Sequence, residues 1–121
     1  MRLRYLAPFV LAGLGLAGAW ALAGPGNLEP GDIAAHAGQT ITVTGTVSDV
    51  FTDRRSGVTF IDMGGAYPNN AFTAVIFPQD AGRFPDMPSL DGRTVKIAGL
   101  IRLYRVNPEI ILRSPEQIQS R

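Results

Sequence analysis

The chain has no cysteine and one histidine, His36. The first absence excludes a disulfide framework, a thiolate metal site, a cysteine nucleophile and a lipid-bearing cysteine. The second leaves no H-x-x-x-H pair, and no phosphate loop or acidic metal cluster stands in for it. Ser48, Ser56 and Ser89 show neither nucleophile-elbow nor triad spacing with His36. Reaction chemistry is therefore not written into this sequence. The expected class is a non-enzymatic protein with no cofactor and no metal.

Charge is also sparse and balanced. Charged residues make up 17%, with a net charge of +1. Arg2 and Arg4 open the chain, Leu6 to Leu22 is uncharged and apolar, and Ala21-Leu-Ala23 is followed by Gly24-Pro-Gly. A basic start, an apolar middle and an A-x-A ending form a secretory signal pattern. The alternative is an uncleaved anchor, for which the run is slightly short of the roughly 20 residues that span a bilayer. Either reading places the protein in the periplasm or cell envelope, with membrane contact only through this segment if it is retained. Without residues 1–23, nine basic side chains face ten acidic ones, a net charge of −1. The whole-domain basic field of many nucleic-acid binders is thus missing, and any such binding must use a local patch.

What the sequence does contain is β pattern. From Gln39 to Ser48, Ile41, Val43, Gly45 and Val47 alternate with Thr40, Thr42, Thr44, Thr46 and Ser48. That is a half-buried strand with one dry and one wet side. Gly45, at an inward position, marks a bend, a bulge or a close approach of another segment. The strand runs on to Thr52, and the polar loop Asp53–Gly57 reads as a hairpin. Strands follow at Val58–Met63 and at Ala71–Phe77, where apolar residues on both faces imply cover on both sides. The turn-rich stretch Gly64–Asn70 joins them. Gln79–Phe84 can form one or two helical turns. Arg93–Tyr104 is a fourth strand, whose Val-Lys-Ile-Ala-Gly99 repeats the phase of Ile-Thr-Val-Thr-Gly45. Glu109–Arg113 is a fifth, before a polar tail. Upstream, Asp32 is placed to cap a short helix over Ile33–Ala37 that Gly38 would end. The chain divides into 1–23 (signal or anchor), 24–38 (lead-in), 39–118 (one β domain) and 119–121 (tail).

Three strands, a short helix and two strands is the order of the OB-fold, a five-stranded all-β Greek-key barrel with a helix between strands three and four. Gly38 to Ile118 also resembles a group of small exported bacterial OB-fold proteins described as nucleic-acid-binding-like. The matching tracts are Gly38–Val47, Gly64-Gly-Ala-Tyr-Pro68 with Phe72–Phe77, Gly92-Arg-Thr-Val, Leu103-Tyr-Arg, Pro108–Leu112 and Gln117-Ile118. One position departs. Those proteins usually carry glycine two residues after the tyrosine of the last turn, where this chain has Val106. Asn107 is then expected to take the left-handed turn position. A haem-carrying exported OB barrel would need a histidine near the C-terminal end, and none follows His36.

An OB-fold binds ligands on the face of strands two and three, between the loops joining strands one to two and four to five. Arg54 and Arg55 occupy the first loop; Arg102 and Arg105 bound the second. These are four of the nine basic residues beyond residue 23. Phe60, Tyr67 and Tyr104 lie nearby in sequence, and Phe60, on the same face as Asp62, is available to a ligand if Asp62 faces water. Arginines for phosphates and rings for bases are the parts of a single-strand binder. The partner expected is an oligonucleotide or another polyanion. The alternative is an envelope protein docked on the same face. Nuclease chemistry on such a barrel needs clustered acids beside an arginine, which Asp62 with Arg54 does not supply.

Overall fold

The computed structural model describes residues 27–120. The expected signal or anchor segment, and any N-terminal helix it would form, lie outside these residues. Eight strands form one sheet: β1 (Asn27–Leu28), β2 (Thr40–Thr52), β3 (Thr59–Met63), β4 (Phe72–Ile76), β5 (Thr94–Leu100), β6 (Arg102–Tyr104), β7 (Asn107–Ile111) and β8 (Ile118–Ser120). Their hydrogen-bonded order is β6-β7-β4-β3-β2-β5-β8, with β1 beside β2. The stretches expected as strands one, two, three and five are β2, β3, β4 and β7; the expected fourth is divided into β5 and β6, and β1 and β8 are additional, so the sheet has eight strands rather than five.

β2 is the spine. Its first half pairs with β5, from Thr40 opposite Leu100 to Thr46 opposite Thr94. Its second half pairs with β3, from Val47 opposite Met63 to Thr52 opposite Thr59, with a bulge between Val47 and Asp49. An extra residue at that point bends the strand and reverses the faces of everything after it. Gly45 sits just before the bulge. A Cβ there would lie 2.7 Å from Pro30 Cγ and 3.0 Å from Met63 Cε. The inward glycine thus admits the lead-in segment, and Pro30 closes over it.

The fourth expected strand is interrupted at Ile101. The amide of Ile101 donates to Gln39 O and its carbonyl accepts from Gly38 N. On one side of it, β5 pairs with β2; on the other, β6 pairs with β7, Arg102 opposite Glu109. β7 lies parallel to β4. A single stretch, residues 94–104, therefore serves both β2 and β7.

The helices differ from expectation. No α-helix occurs among the described residues; the connections are 3-10 turns. The lead-in turn is Pro30–His36, starting at Pro30 without side-chain capping, so Asp32 falls inside the first turn rather than at the cap. Gly38, at φ 87°, ends it as expected. Two turns, Pro78–Arg83 and Met87–Leu90, replace the single helix between strands three and four. Pro85, between the two turns, explains the break, because proline inside a helix removes a donor and clashes with the preceding turn; Pro78 and Pro88 stand in the first turns of their own segments, where proline is tolerated. The polar tail is a strand. Gln117 fixes it, accepting from the amides of Arg113 (2.8 Å) and Ser114 (3.0 Å) and donating to Ala98 O and Ile111 O. Ile118 packs against the core from there.

Two apolar clusters result. The larger lies on the core side, around Ile41, Val43, Ile61, Met63, Phe72 and Ile110. Ile33 of the lead-in turn belongs to it with no exposed surface. The smaller lies on the other side of the sheet: Val58, Phe60 and Val75, with Phe51 and Phe77 packed against them. β4 is buried along its whole length, as its two-sided apolar sequence implies.

Candidate nucleic-acid interface

On the outer face of β2, β3, β4, β7 and β6, side chains line up in cross-strand rows. One row is Phe51, Phe60, Val75 and Ile111. The next is Asp49, Asp62, Thr73, Glu109 and Arg102. The first row is apolar, and the Phe51 and Phe60 rings stack at 6.4 Å and 20°. The second is polar and tied together. Thr73 Oγ1 donates to Asp62 Oδ1 at 2.9 Å, and Asn70 Nδ2 donates to the same pair. Asn70 also donates to Phe72 O, which anchors the 64–71 loop to this row.

Phe60 and Asp62 share the outer face, but neither reaches solvent; both are fully buried. Phe60 is thus corrected from stacking platform to foundation. The rings packed against its cluster, Phe51 and Phe77, are half-buried.

The expected arginines divide between two ends of the face. Arg54 and Arg55 are exposed in the 53–57 hairpin, where β2 hands over to β3. The loop is held by Asp53, 5% exposed, whose carboxylate accepts from the Arg55 amide at 3.0 Å. Its backbone adds two bonds, Asp53 N to Val58 O and Gly57 N to Asp53 O. Asp53→Ala is expected to cost about 0.5–1.5 kcal/mol, since the Arg55 amide loses the carboxylate that holds the turn. Thermal melting checks this; an unchanged midpoint would show the loop holds itself.

Tyr104, Arg105 and Tyr67 occupy the opposite end, beyond the row of Met63 and Phe72, and Arg102 lies one step short of that row, level with Asp62, Thr73 and Glu109. Four residue steps along β3, about 13 Å at a strand's rise, separate the two ends. Arg102 is a correction. Its guanidinium lies 3.8 Å from the carboxylate of Glu109, which has no exposed surface. It neutralises a buried acid rather than presenting a free cation. Tyr104 is half-buried, and the Arg105 guanidinium stands 5.5 Å from its ring centre, a cation–π pair. Tyr67, 38% exposed, lies in the 64–71 loop.

The turn between β6 and β7 is a second correction. Asn107 begins β7 opposite Tyr104, and the left-handed positions are Arg105 (φ 51°) and Val106 (φ 65°). Two residues at positive φ make the tight hairpin turn whose twist matches its strands.

The residues missed in the sequence are Phe51, Phe77 and Arg113. Phe77 lies on the side of Thr73 and Val75, a period-two signal present in the sequence. Arg113, exposed, follows β7 at the Phe77 end of the face. There its carbonyl accepts from Arg83 Nη1 at 3.0 Å, while the same guanidinium lies 3.6 Å from Asp80. His36 is half-buried at its turn's end and donates from Nδ1 to Gln39 Oε1. Among the described residues, no group of three or more His, Cys, Asp or Glu side chains could hold a metal ion.

No family model matches the chain, and no curated protein matches it in sequence. Its fold does have solved counterparts. An aspartyl-tRNA synthetase from Entamoeba histolytica superposes with a TM-score of 0.54 at 14% identity, covering 94% of this chain and 24% of that one. A chain assigned as an aspartyl-tRNA synthetase from Leishmania major Friedlin gives 0.51 at 11% identity, covering 94% and 23%. This protein therefore spans about a quarter of the length of those chains. At such identities the likeness concerns the fold alone, and it supports a mostly β, OB-fold class of domain.

Proposed function

We propose that the protein is an exported, non-enzymatic OB-fold module that binds single-stranded nucleic acid on the outer face of β2, β3 and β4. The observation that carries this is the arrangement of that face. Half-buried Phe51 and Phe77 pack beside buried Val58, Phe60 and Val75, with Arg54 and Arg55 at one end of the face and Arg105 on Tyr104 at the other. Such a face takes bases on its rings and phosphates on its rims, with little sequence preference. The two structural neighbours described above are tRNA synthetases by name, which fits a nucleic-acid-binding type of domain. In this reading the sheet, whose hydrogen-bonded order runs open from β6 to β8, is the Greek-key frame of an OB-fold, with residues 94–104 serving both β2 and β7. Export rests on the basic, apolar and A-x-A pattern of residues 1–23. No cofactor is required.

The arginine hairpin gives the test. Arg54→Glu with Arg55→Glu is expected to weaken binding of a fluorescent single strand by at least about tenfold at low salt. The log–log salt slope should fall by about 1.4, two phosphate contacts' worth for a single strand. Both side chains are exposed, so melting should be unchanged. Undiminished binding by the folded double variant would overturn the proposal.

A further inference from the structure

A further cation stands at the hairpin end of the outer face. β4 and β7 run in register from Thr73 opposite Glu109 to Val75 opposite Ile111, and the Leu112 amide donates to Val75 O at 2.8 Å, which carries that register one step on. Arg113 is therefore level with Phe77 and, two residues after Ile111, on the same outer face. Val58 is level with Phe77 in turn, one step beyond Thr59 opposite Ile76, and Asp53 N donates to Val58 O. The end row thus runs Asp53, Val58, Phe77, Arg113 across β2, β3, β4 and β7. Three strand spacings, about 14 Å, separate its ends. Half-buried Phe77 stands between the exposed hairpin arginines and exposed Arg113. The Arg113 backbone is fixed on both sides: Gln117 Oε1 accepts from its amide at 2.8 Å, and Arg83 Nη1 donates to its carbonyl at 3.0 Å. Its guanidinium makes no hydrogen bond, ion pair or ring contact among the described residues, and neither do those of Arg54 and Arg55. Elsewhere Arg83 is paired with Asp80, Arg102 with Glu109 and Arg105 with Tyr104. The uncommitted guanidinia of Arg54, Arg55 and Arg113 are thus gathered at one end. The carboxylates of Asp49, Asp62 and Glu109 lie two rows away, on the far side of the Phe51–Phe60–Val75–Ile111 row. Phosphates held close to the rings therefore find their cations at the hairpin end.

Resting on the single-strand reading above, we propose that Arg113 is a phosphate-binding residue, and that the nucleic acid crosses β3 and β4 from Arg54 and Arg55 to Arg113 with a base on Phe77. Phosphates and bases alternate along a single strand, and this end of the face presents cation, ring and cation in that order. The fixed backbone of Arg113 leaves only its side chain to be ordered on binding, which lowers the entropic cost of the contact.

Three variants test the contact against a fluorescent single strand of about twelve nucleotides. Arg113→Gln should lower the log–log salt slope by about 0.7, one phosphate contact's worth, and weaken binding about fivefold to tenfold at about 50 mM salt. Its melting should be unchanged, because Gln117 and Arg83 hold the backbone of Arg113 and not its side chain. Arg113→Lys keeps the charge and should keep the slope. Lys96→Gln removes one charge on the threonine side, opposite Thr44, and should leave slope and affinity as in the wild type. A full slope in folded Arg113→Gln, with the Arg54→Glu, Arg55→Glu protein impaired, overturns the Arg113 contact and leaves the wider reading standing. Equal slope losses in Arg113→Gln and Lys96→Gln also overturn it, because net charge alone would then be acting. A wild type that does not bind removes both.

Discussion

Arg102→Met is expected to destabilise the protein by about 3–5 kcal/mol, a large share of what a domain this size possesses. The side chain is 17% exposed and lies 3.8 Å from Glu109, whose own exposure is zero. Removing the guanidinium leaves a buried carboxylate without its cation, and the energy of that charge rises steeply away from water. The double variant Arg102→Met, Glu109→Met tests the cause. With both charges gone, stability should recover most of the loss, since well-packed apolar pairs often match a buried ion pair. Urea unfolding of the three proteins measures this directly, through midpoints at constant slope. A loss below about 1 kcal/mol in the single variant would mean that the pair behaves as a surface contact.

Gly99→Ala is expected to cost about 1–3 kcal/mol through overpacking. An added Cβ would stand 2.6 Å from Ile110 Cγ2 and 3.1 Å from Gln117 Nε2. Neither neighbour has room to give. Ile110 is fully buried, and Gln117 is held through four hydrogen bonds to Arg113, Ser114, Ala98 and Ile111. Gly82→Ala is the control: nothing lies within 4 Å of its added Cβ, and it should be neutral or slightly stabilising. Ile110→Leu moves the offending methyl off Cβ. Its double variant with Gly99→Ala should therefore lose less than the sum of the two single losses. Additive losses would mean that the clash lies elsewhere.

Those two sites also mark how far the sequence could be read. Period-two alternation located β2 and β5, apolar runs between turn signals located β3, β4 and β7, and the glycine phase in β2 and β5 pointed to a bend, a bulge or close packing at Gly45 and Gly99. What packs there was not legible, because Pro30 and Ile110 reach the glycines only through the fold. The bulge after Val47 hid the most. Straight alternation from Ile41 assigns Asp49 and Phe51 to the core side; one inserted residue turns both outward. No local signal in Thr-Val-Ser-Asp-Val announces that insertion, so Phe51 escaped notice while Phe60 opposite it did not. The buried state of Glu109 was equally silent, since it depends on Arg102 arriving beside it from β6. β8 was missed because Ile118-Gln-Ser120 is polar and short, and it becomes a strand only when Gln117 is caught by Ala98 and Ile111.

The central claim is that the outer face, from the arginine hairpin to the β6–β7 turn, receives a single strand. Amide chemical-shift mapping by NMR during titration with a short oligonucleotide tests it most directly. The account predicts salt-sensitive shifts at residues 53–57, at Phe51 and Phe77, and at 104–107. The threonine side of β2 and β5, with Thr42, Thr46 and Lys96, should stay still. Shifts confined to that threonine side, or none at low salt, would contradict it.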